Sequence, residues 1–339
     1  MSDRITSLHG AGGEVMDQLL ADRPRPRLPA PRRALSDRGA GDDGATLDLP
    51  RDGEIVFTTD GHAVKPIFFP GGDIGRLAAS GTVNDLAVMG ARPIVLSLAA
   101  ILVEGFPLCD LERVIDSFAA VLREVGATVA CGDTKVMPAG DLDGILLTTS
   151  GIGVARRAVS DAALHVGARL LVTGTIGDHG MALLAARNEF HLSTELRSDV
   201  APIWSLLEPL VRSGDWVHAM KDPTRGGLAA ALNEMARKSR ACIEIDETAI
   251  PLRDEVRGLS DLLGISPLEV ANEGKAVLAV APSFADEALR LLRGHPLGAD
   301  AADLGRVTSE YPGHVVLRTE IGGRRFLEMP VGDPVPRIC

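Results

Sequence analysis

The run EIVFTTD at residues 54–60 opens a series that continues through GDIGRLAASGTVNDLAVMGA (72–91), IVLSLAAILV (94–103), DLERVIDSFAAVLREVG (110–126), TVACGD (128–133) and GILLTTSGIGVA (144–155). Short β-rich stretches alternate here with longer helical ones. Between Asp110 and Val125 the apolar residues Leu111, Val114, Ile115, Phe118, Val121, Leu122 and Val125 recur at helical spacing, which predicts a helix with one buried face. A polar, irregular stretch near residues 154–167 separates this unit from a second round. That round reads as strand RLLVTG (169–174), helices near 180–186, 203–213 and 226–238, and strand ACIEID (241–246). Helix 252–263, strand KAVLAVA (275–281), helix 283–293 and a hairpin across Gly322-Gly323 complete it. Hairpin signals mixed with helices predict an α+β (α/β) protein with helices on one face of each sheet, rather than a doubly wound parallel fold.

The 339 residues suit about two domains. The expected division is an N-terminal glycine-rich and Arg/Pro-rich segment (1–41), a first αβ domain (42–160), a second (161–329) and a C-terminal tail (330–339). With 45% hydrophobic and 24% charged residues the chain is expected to be largely globular. Aromatics make up only 3%, so the cores rest on Ala, Val, Leu and Ile and no surface for stacking bases is available. A net charge of -11 repels a phosphate backbone, so nucleic acid is not an expected partner. No apolar run approaches the roughly 20 residues of a membrane helix. The opening MSDRITSLHGAGG lacks the apolar core of a secretory signal, so a cytoplasmic protein is expected.

Cys109, Cys131, Cys242 and Cys339 are widely spaced and form no C-x-x-C pair, which argues against a disulfide framework or a structural zinc site. The first three read as small core residues. The stretch RPRPRLPAPRR (23–33) holds four prolines among five arginines and is expected to be a mobile basic segment without regular helix. The tail PVGDPVPRIC (330–339) carries prolines at 330, 334 and 336, which favour an extended form, and ends in a thiol suited to carrying a group.

No Walker loop and no G-x-G-x-x-G fingerprint is present. Instead aspartates punctuate the apolar runs: Asp42 and Asp43 in AGDDGA, Asp60 in FTTDG, Asp85 in VNDLA, Asp133 in ACGDTK and Asp222 in KDPTRGG. Magnesium takes oxygen ligands, commonly one or two carboxylates together with substrate phosphates, so such a set suits an Mg-nucleotide site. A turn or cap role competes at each of them. Asp85 stands apart because it lies in an apolar helical run, where an unpartnered carboxylate is costly and a cation partner is favoured. KDPTRGG (221–227) leads into a predicted helix whose first N–H groups face outward, a seat for phosphate that the glycines of LHGAGGE (8–14) would complement. Lys135, after the CGDT turn, suits charge neutralisation during phosphoryl transfer, and Glu273 in ANEGK suits proton abstraction.

Taken together, FTTDGHAVKPIFFPGGDIGRLAASGTVNDLAVMGA, ACGDTKV, TTSGIG, DPTRGGLA, NEGK and the terminal PRIC resemble the HypE family of hydrogenase maturation proteins over nearly the whole chain. The glycine turns are shared with aminoimidazole ribonucleotide synthetase, selenophosphate synthetase and thiamine-phosphate kinase; the PRIC end is what sets this family apart. The resemblance implies a two-domain aminoimidazole ribonucleotide synthetase-like fold and a homodimer formed through a β-barrel-like interface of the N-terminal domains. It also implies an ATP-dependent carbamoyl dehydratase. The carbamoyltransferase HypF loads a carbamoyl group on the terminal thiol, ATP drives its dehydration to a thiocyanate, and the cyanide passes to iron on a HypC-HypD complex, toward the nickel-iron centre. By the same resemblance Cys339 carries the substrate, Lys135 and Asp85 assist around the phosphoryl group and Glu273 is the base. ATP contacts fall to Asp43, Asp60, Asp85, Asp133, Thr134, Asp222, Thr224, Gly226 and Gly227, and Mg2+ to Asp43 (or Asp42), Asp60, Asp85 and Asp222. Two other readings remain open from the residues alone: an ATP-dependent synthetase or kinase acting on a free small molecule, and a non-catalytic carrier or scaffold.

Overall fold

The computed structural model describes residues 3–10, 14–29, 47, 49–50, 52–187 and 196–332. Its first half contains helices α1 (Glu14–Asp22) and α2 (Pro24–Arg27), strand β1 (Glu54–His62), the short pair β2 (Phe68–Phe69) and β3 (Gly72–Asp73), and helix α3 (Ile74–Val88). Strand β4 (Arg92–Val103), helix α4 (Leu108–Val125) and strands β5 (Thr128–Met137) and β6 (Ile145–Ala155) follow. The strands form a four-stranded sheet in the order β1-β6-β4-β5. Only β4 and β5 are parallel, and α4 is the crossover that a parallel pair requires.

Period-2 patterning decides which residues this sheet offers to its helices. Buried and half-exposed residues alternate along the whole of β6, so one face is covered and the other is not. The covered face lies under α3, whose residues 77–84 are all buried. Asp73 caps that helix by accepting from the N–H groups of Gly75 and Arg76 at 2.8 and 3.0 Å. The apolar stripe expected on residues 110–125 is the buried face of α4, which ends at Gly126 in the left-handed region (φ +71°).

The second half adds β7 (Arg169–Val172), α5 (Asp178–Arg187), α6 (Trp204–Arg212), β8 (Val217–Lys221), α7 (Gly227–Ser239), β9 (Cys242–Asp246) and α8 (Asp254–Leu263). Strand β10 (Val277–Val280), α9 (Ala285–Arg293) and strands β11 (Ala302–Thr308), β12 (Val315–Arg318) and β13 (Arg324–Phe326) complete it. Their sheet runs β13-β12-β9-β11-β7-β10-β8, antiparallel except for β12 beside β9. The mixed α+β reading is therefore correct. β12 and β13 form the hairpin expected at Gly322-Gly323.

Two expectations fail. Residues 24–27 of the Arg/Pro-rich stretch form a helical turn, with prolines in the first-turn positions that lack an obligatory N–H partner. Ion pairs from Arg23 and Arg27 to Glu112, and from Arg27 to Asp116, hold that turn on α4. Residues 30–33 lie outside the described residues. Cys109 and Cys131 are exposed, whereas Cys242 is buried as expected. Cys131 occupies β5, an edge strand, where an apolar run does not guarantee a covered face.

Candidate active site

Asp60 is inside β1 rather than at its end, on the same pleat face as Val56, Thr58 and His62, which is the face turned toward α3. Opposite it, Gly81 and Asp85 are one helical turn apart and share a face of α3. A Cβ at Gly81 would lie 2.9 Å from His62 Cε1 and 3.3 Å from Asp60 Oδ2, so this glycine lets the helix close on the strand. Thr58 Oγ1 then donates to Asp85 Oδ2 at 2.7 Å, and His62 Nε2 stands 3.4 Å from Asp60 Oδ2. Burial drives the His62 pKa down against the pull of Asp60, and the Arg225 guanidinium adds to the depression, keeping the imidazole neutral.

Asp222 follows β8 directly and Glu273 precedes β10, strands that are neighbours in the second sheet. Asn84, adjacent to Asp85, ties this region to α3. Its Nδ2 donates to the carbonyls of Ala201 and Glu273 at 3.0 Å each, and its Oδ1 accepts from Ile203 N at 2.9 Å. Glu273 N in turn donates to Asp199 Oδ1 at 3.1 Å, while Asp199 Oδ2 pairs with buried Lys275 at 3.3 Å.

The result is a concentration of carboxylates. Burial and the neighbouring Asp222 push Asp85 up to about 7, with Asp60 adding to the rise and the Thr58 hydrogen bond opposing it. Burial likewise raises Asp222, opposed by Lys221. Glu273, only 4% exposed, is raised well above the usual carboxylate range by burial and by Asp199, Asp222, Asp60 and Asp85. Asp178, at the start of α5, is raised by burial and by Asp199 although Thr175 donates to it at 2.5 Å. Carboxylates that repel one another in a desolvated site have a deficit of positive charge, which a cation or a bound cationic complex relieves. Among the described residues no three His, Cys, Asp or Glu side chains close into a metal cage on their own.

The sequence-derived residues thus divide into groups. Asp60, Asp85, Asp222 and Glu273 act on one another electrostatically. Thr224 O accepts from Gly227 N at 2.8 Å in the turn before α7. Gly227 serves packing: at φ +61° a Cβ there would come within 2.5 Å of Val270 O and 2.6 Å of Leu268 O. Asp133, Thr134 and Lys135 lie in β5, so CGDT is strand and not turn. Pairing runs from Asp133 to Ala99, from Ala99 to Thr148 and from Thr148 to Gly61, which places Asp133 three strands, roughly 14 Å, from the Asp60 end of β1. Asp42, Asp43, Cys339 and residues 11–13 of the glycine-rich start lie outside the described residues. Sequence reasoning missed Thr58, His62, Asp199 and Lys275 as site members, and treated Asn84 only as the neighbour of Asp85. For Lys275 a signal existed: a lysine opening the uniformly apolar run AVLAVA needs a buried partner.

Comparison with known proteins completes the picture. The AIR synthase related protein N-terminal domain model matches residues 41–155, and the corresponding C-terminal domain model matches residues 165–318. A putative hydrogenase expression/formation protein of Methanocaldococcus jannaschii is 50% identical, covering 99% of this chain and 100% of its own. The carbamoyl dehydratase HypE of Rhizobium leguminosarum is 44% identical over 99% of this chain and 95% of its own. The crystal structure of a HypE in complex with ATP superposes with a TM-score of 0.93 at 40% identity, covering 99% of this chain and 100% of that one. A HypE-HypF complex structure gives 0.80 at 39% identity, over 94% of this chain and 100% of that one.

Proposed function

Because this chain belongs to the HypE branch of the AIR synthase-related family, we propose that it is an ATP-dependent carbamoyl dehydratase whose substrate is a carbamoyl group on its own Cys339. The observation that carries this reading is the group of mutually repelling carboxylates Asp60, Asp85, Asp222 and Glu273, contributed by β1, α3 and the strand ends of the second sheet, with Glu273 buried. The relatives name the reaction and the ATP, and the site supplies chemistry of the right kind.

In a thiocarboxamide the oxygen is a poor leaving group. Attack of that oxygen on the γ-phosphorus of ATP releases ADP and converts it into a phosphate ester. The C–O bond then breaks and the nitrogen gives up both protons, leaving R–S–C≡N, ADP, phosphate and one released proton. One of the two N–H protons ends on phosphate, so the balance closes. Glu273 takes the proton: a buried carboxyl with a raised pKa is a stronger base, once ionised, than an exposed one. Asp60, Asp85 and Asp222 would hold magnesium, together with Asp42 or Asp43, and when bound that ion supplies charge neutralisation on the phosphates. Asp133, Thr134, Thr224, Gly226 and Gly227 are proposed to contact ATP.

Lys135 does not reach this cluster within one chain. Among the described residues β1 and β5 are the outermost strands of the first sheet, and its open face exposes Ile55 and Phe57 by 57% and 66%. A second copy closing the two sheets into a barrel would cover these residues and bring its Lys135 to the phosphates, so the working unit is proposed to be a homodimer. HypF is the proposed source of the carbamoyl group, consistent with the complex formed by its relatives, and a HypC-HypD complex is the proposed cyanide acceptor.

The test is intact-mass spectrometry of the protein incubated with HypF, carbamoyl phosphate and Mg-ATP, beside Cys339→Ala. A carbamoyl adduct on Cys339 that loses one water only with ATP supports the reading. An adduct that forms and persists with ATP overturns it and favours a superfamily kinase or synthetase, or a carrier.

A further inference from the structure

The chain reaches its C-terminal segment along α7. Leu327 is buried, with its N–H on Val315 O at 2.9 Å, and its carbonyl accepts from Asn233 Nδ2 at 2.8 Å. The same Nδ2 donates to Ala229 O, one turn earlier in the helix, at 2.9 Å. Two carbonyl acceptors require the NH2 group at this position, which fixes the orientation of the amide. Three residues on, Pro330 Cγ lies 3.8 Å from where a Cβ on Gly226 would be. Between Asn233 and Gly226 a helix rises roughly 10 Å, and three extended residues span about the same distance. The stretch 327–330 therefore runs antiparallel to α7, extended, toward the helix N-terminus that follows Asp222.

Asn233 is out of place by local rules. It is 3% exposed in the middle of a helix otherwise built from Leu, Ala and Met on its covered side, where asparagine is a poor helix former and a buried amide must be satisfied. A conflict between local preference and position marks a constraint of another kind. From the dehydratase reading above, we propose that Asn233 is a positioning residue that clamps the root of the C-terminal segment, residues 327–330, against α7 and so shortens the tether that carries Cys339.

Anchored at Pro330, the thiol is nine residues away along the chain. Released to Phe326 it would be thirteen away, and released to the end of β12 at Arg318 it would be twenty-one away. Effective concentration falls as roughly the 3/2 power of tether length, so loss of the clamp lowers it by about 2-fold in the first case and about 4-fold in the second.

The test compares the reaction in cis and in trans. In cis, full-length protein loaded on Cys339 by HypF is mixed with Mg-ATP and water loss is followed in a single turnover. In trans, Cys339→Ala protein is given a synthetic S-carbamoyl peptide of sequence DPVPRIC. Asn233→Leu removes the donor while keeping the branched shape and number of side-chain heavy atoms, and Asn233→Asp removes it while keeping the polarity. The expected result is a cis rate reduced about 2- to 4-fold in both variants with the trans rate unchanged. Equal cis rates in wild type and variants overturn the clamp, and so does a parallel loss in cis and trans, which reports general damage. If loaded wild-type protein loses no water with ATP, the dehydratase reading itself fails, a result separable from either of the others.

Discussion

Replacing Asp85 by asparagine is expected to stabilise the ligand-free protein while destroying its response to Mg-ATP. Asp85 is pushed up to about 7 by burial and by Asp222, against about 3.8 for an ordinary aspartate. A carboxyl whose folded pKa is raised contributes stability that is complete below the unfolded pKa and is lost as pH rises through the folded one. At 1.36 kcal/mol per unit, the penalty carried by the ionisable side chain grows by about 3 kcal/mol between pH 5 and pH 8. Asparagine is nearly isosteric, still accepts the Thr58 hydrogen bond through Oδ1, and has no charge to desolvate. Urea unfolding in EDTA at pH 5, 6, 7 and 8 is the measurement. The stability gained by Asp85→Asn should widen toward pH 8 by about that amount, while Mg-ATP should cease to raise the unfolding midpoint. Parallel pH profiles for the two proteins would refute the argument that Asp85 is a desolvated, mutually repelled carboxylate.

Asn84→Ala leaves the carbonyls of Ala201 and Glu273 and the N–H of Ile203 without their partner; a loss of roughly 3 kcal/mol is expected in denaturant unfolding, together with a fall in dehydration rate as the Glu273 loop loosens. Gly227→Ala, at positive φ and with carbonyls 2.5 and 2.6 Å from the new Cβ, should cost about 1–3 kcal/mol by the same assay. Lys275→Met strands the buried carboxylate of Asp199, with an expected loss of about 3–5 kcal/mol that Asp199→Asn in the same chain should partly restore. For the shared site, Lys135→Ala and Glu273→Gln should each abolish ATP-dependent water loss. An equal mixture refolded together should recover about a quarter of wild-type activity, since half the dimers are mixed and each retains one intact site; no recovery would place Lys135 outside the partner's site.

The legible parts of this molecule are those that depend on residues near one another in sequence. The stripe from Leu111 to Val125 specifies a helix because its period is local, and Asp85 is conspicuous because a carboxylate amid Val83, Leu86 and Ala87 violates that period. What the pattern cannot carry is the identity of distant partners. Asn84 meets the carbonyl of Glu273 across 189 residues, and Asp199 meets the Glu273 N–H across 74; neither separation leaves a mark in the stretches themselves. The reading of CGDT as a turn fails for a related reason. Glycine, aspartate and threonine have turn propensity, yet β5 runs through all of them because its pairing with β4 supplies the backbone hydrogen bonds. The same misreading hid the geometry of Lys135. As a turn residue it was free to meet Asp60 and Asp85; as a residue of an edge strand, with two strands between it and β1, it is not. Register places two strands between Lys135 and the Asp60 strand within one chain, so the proposed site, which uses both Lys135 and the carboxylates, needs a second chain to bring them together.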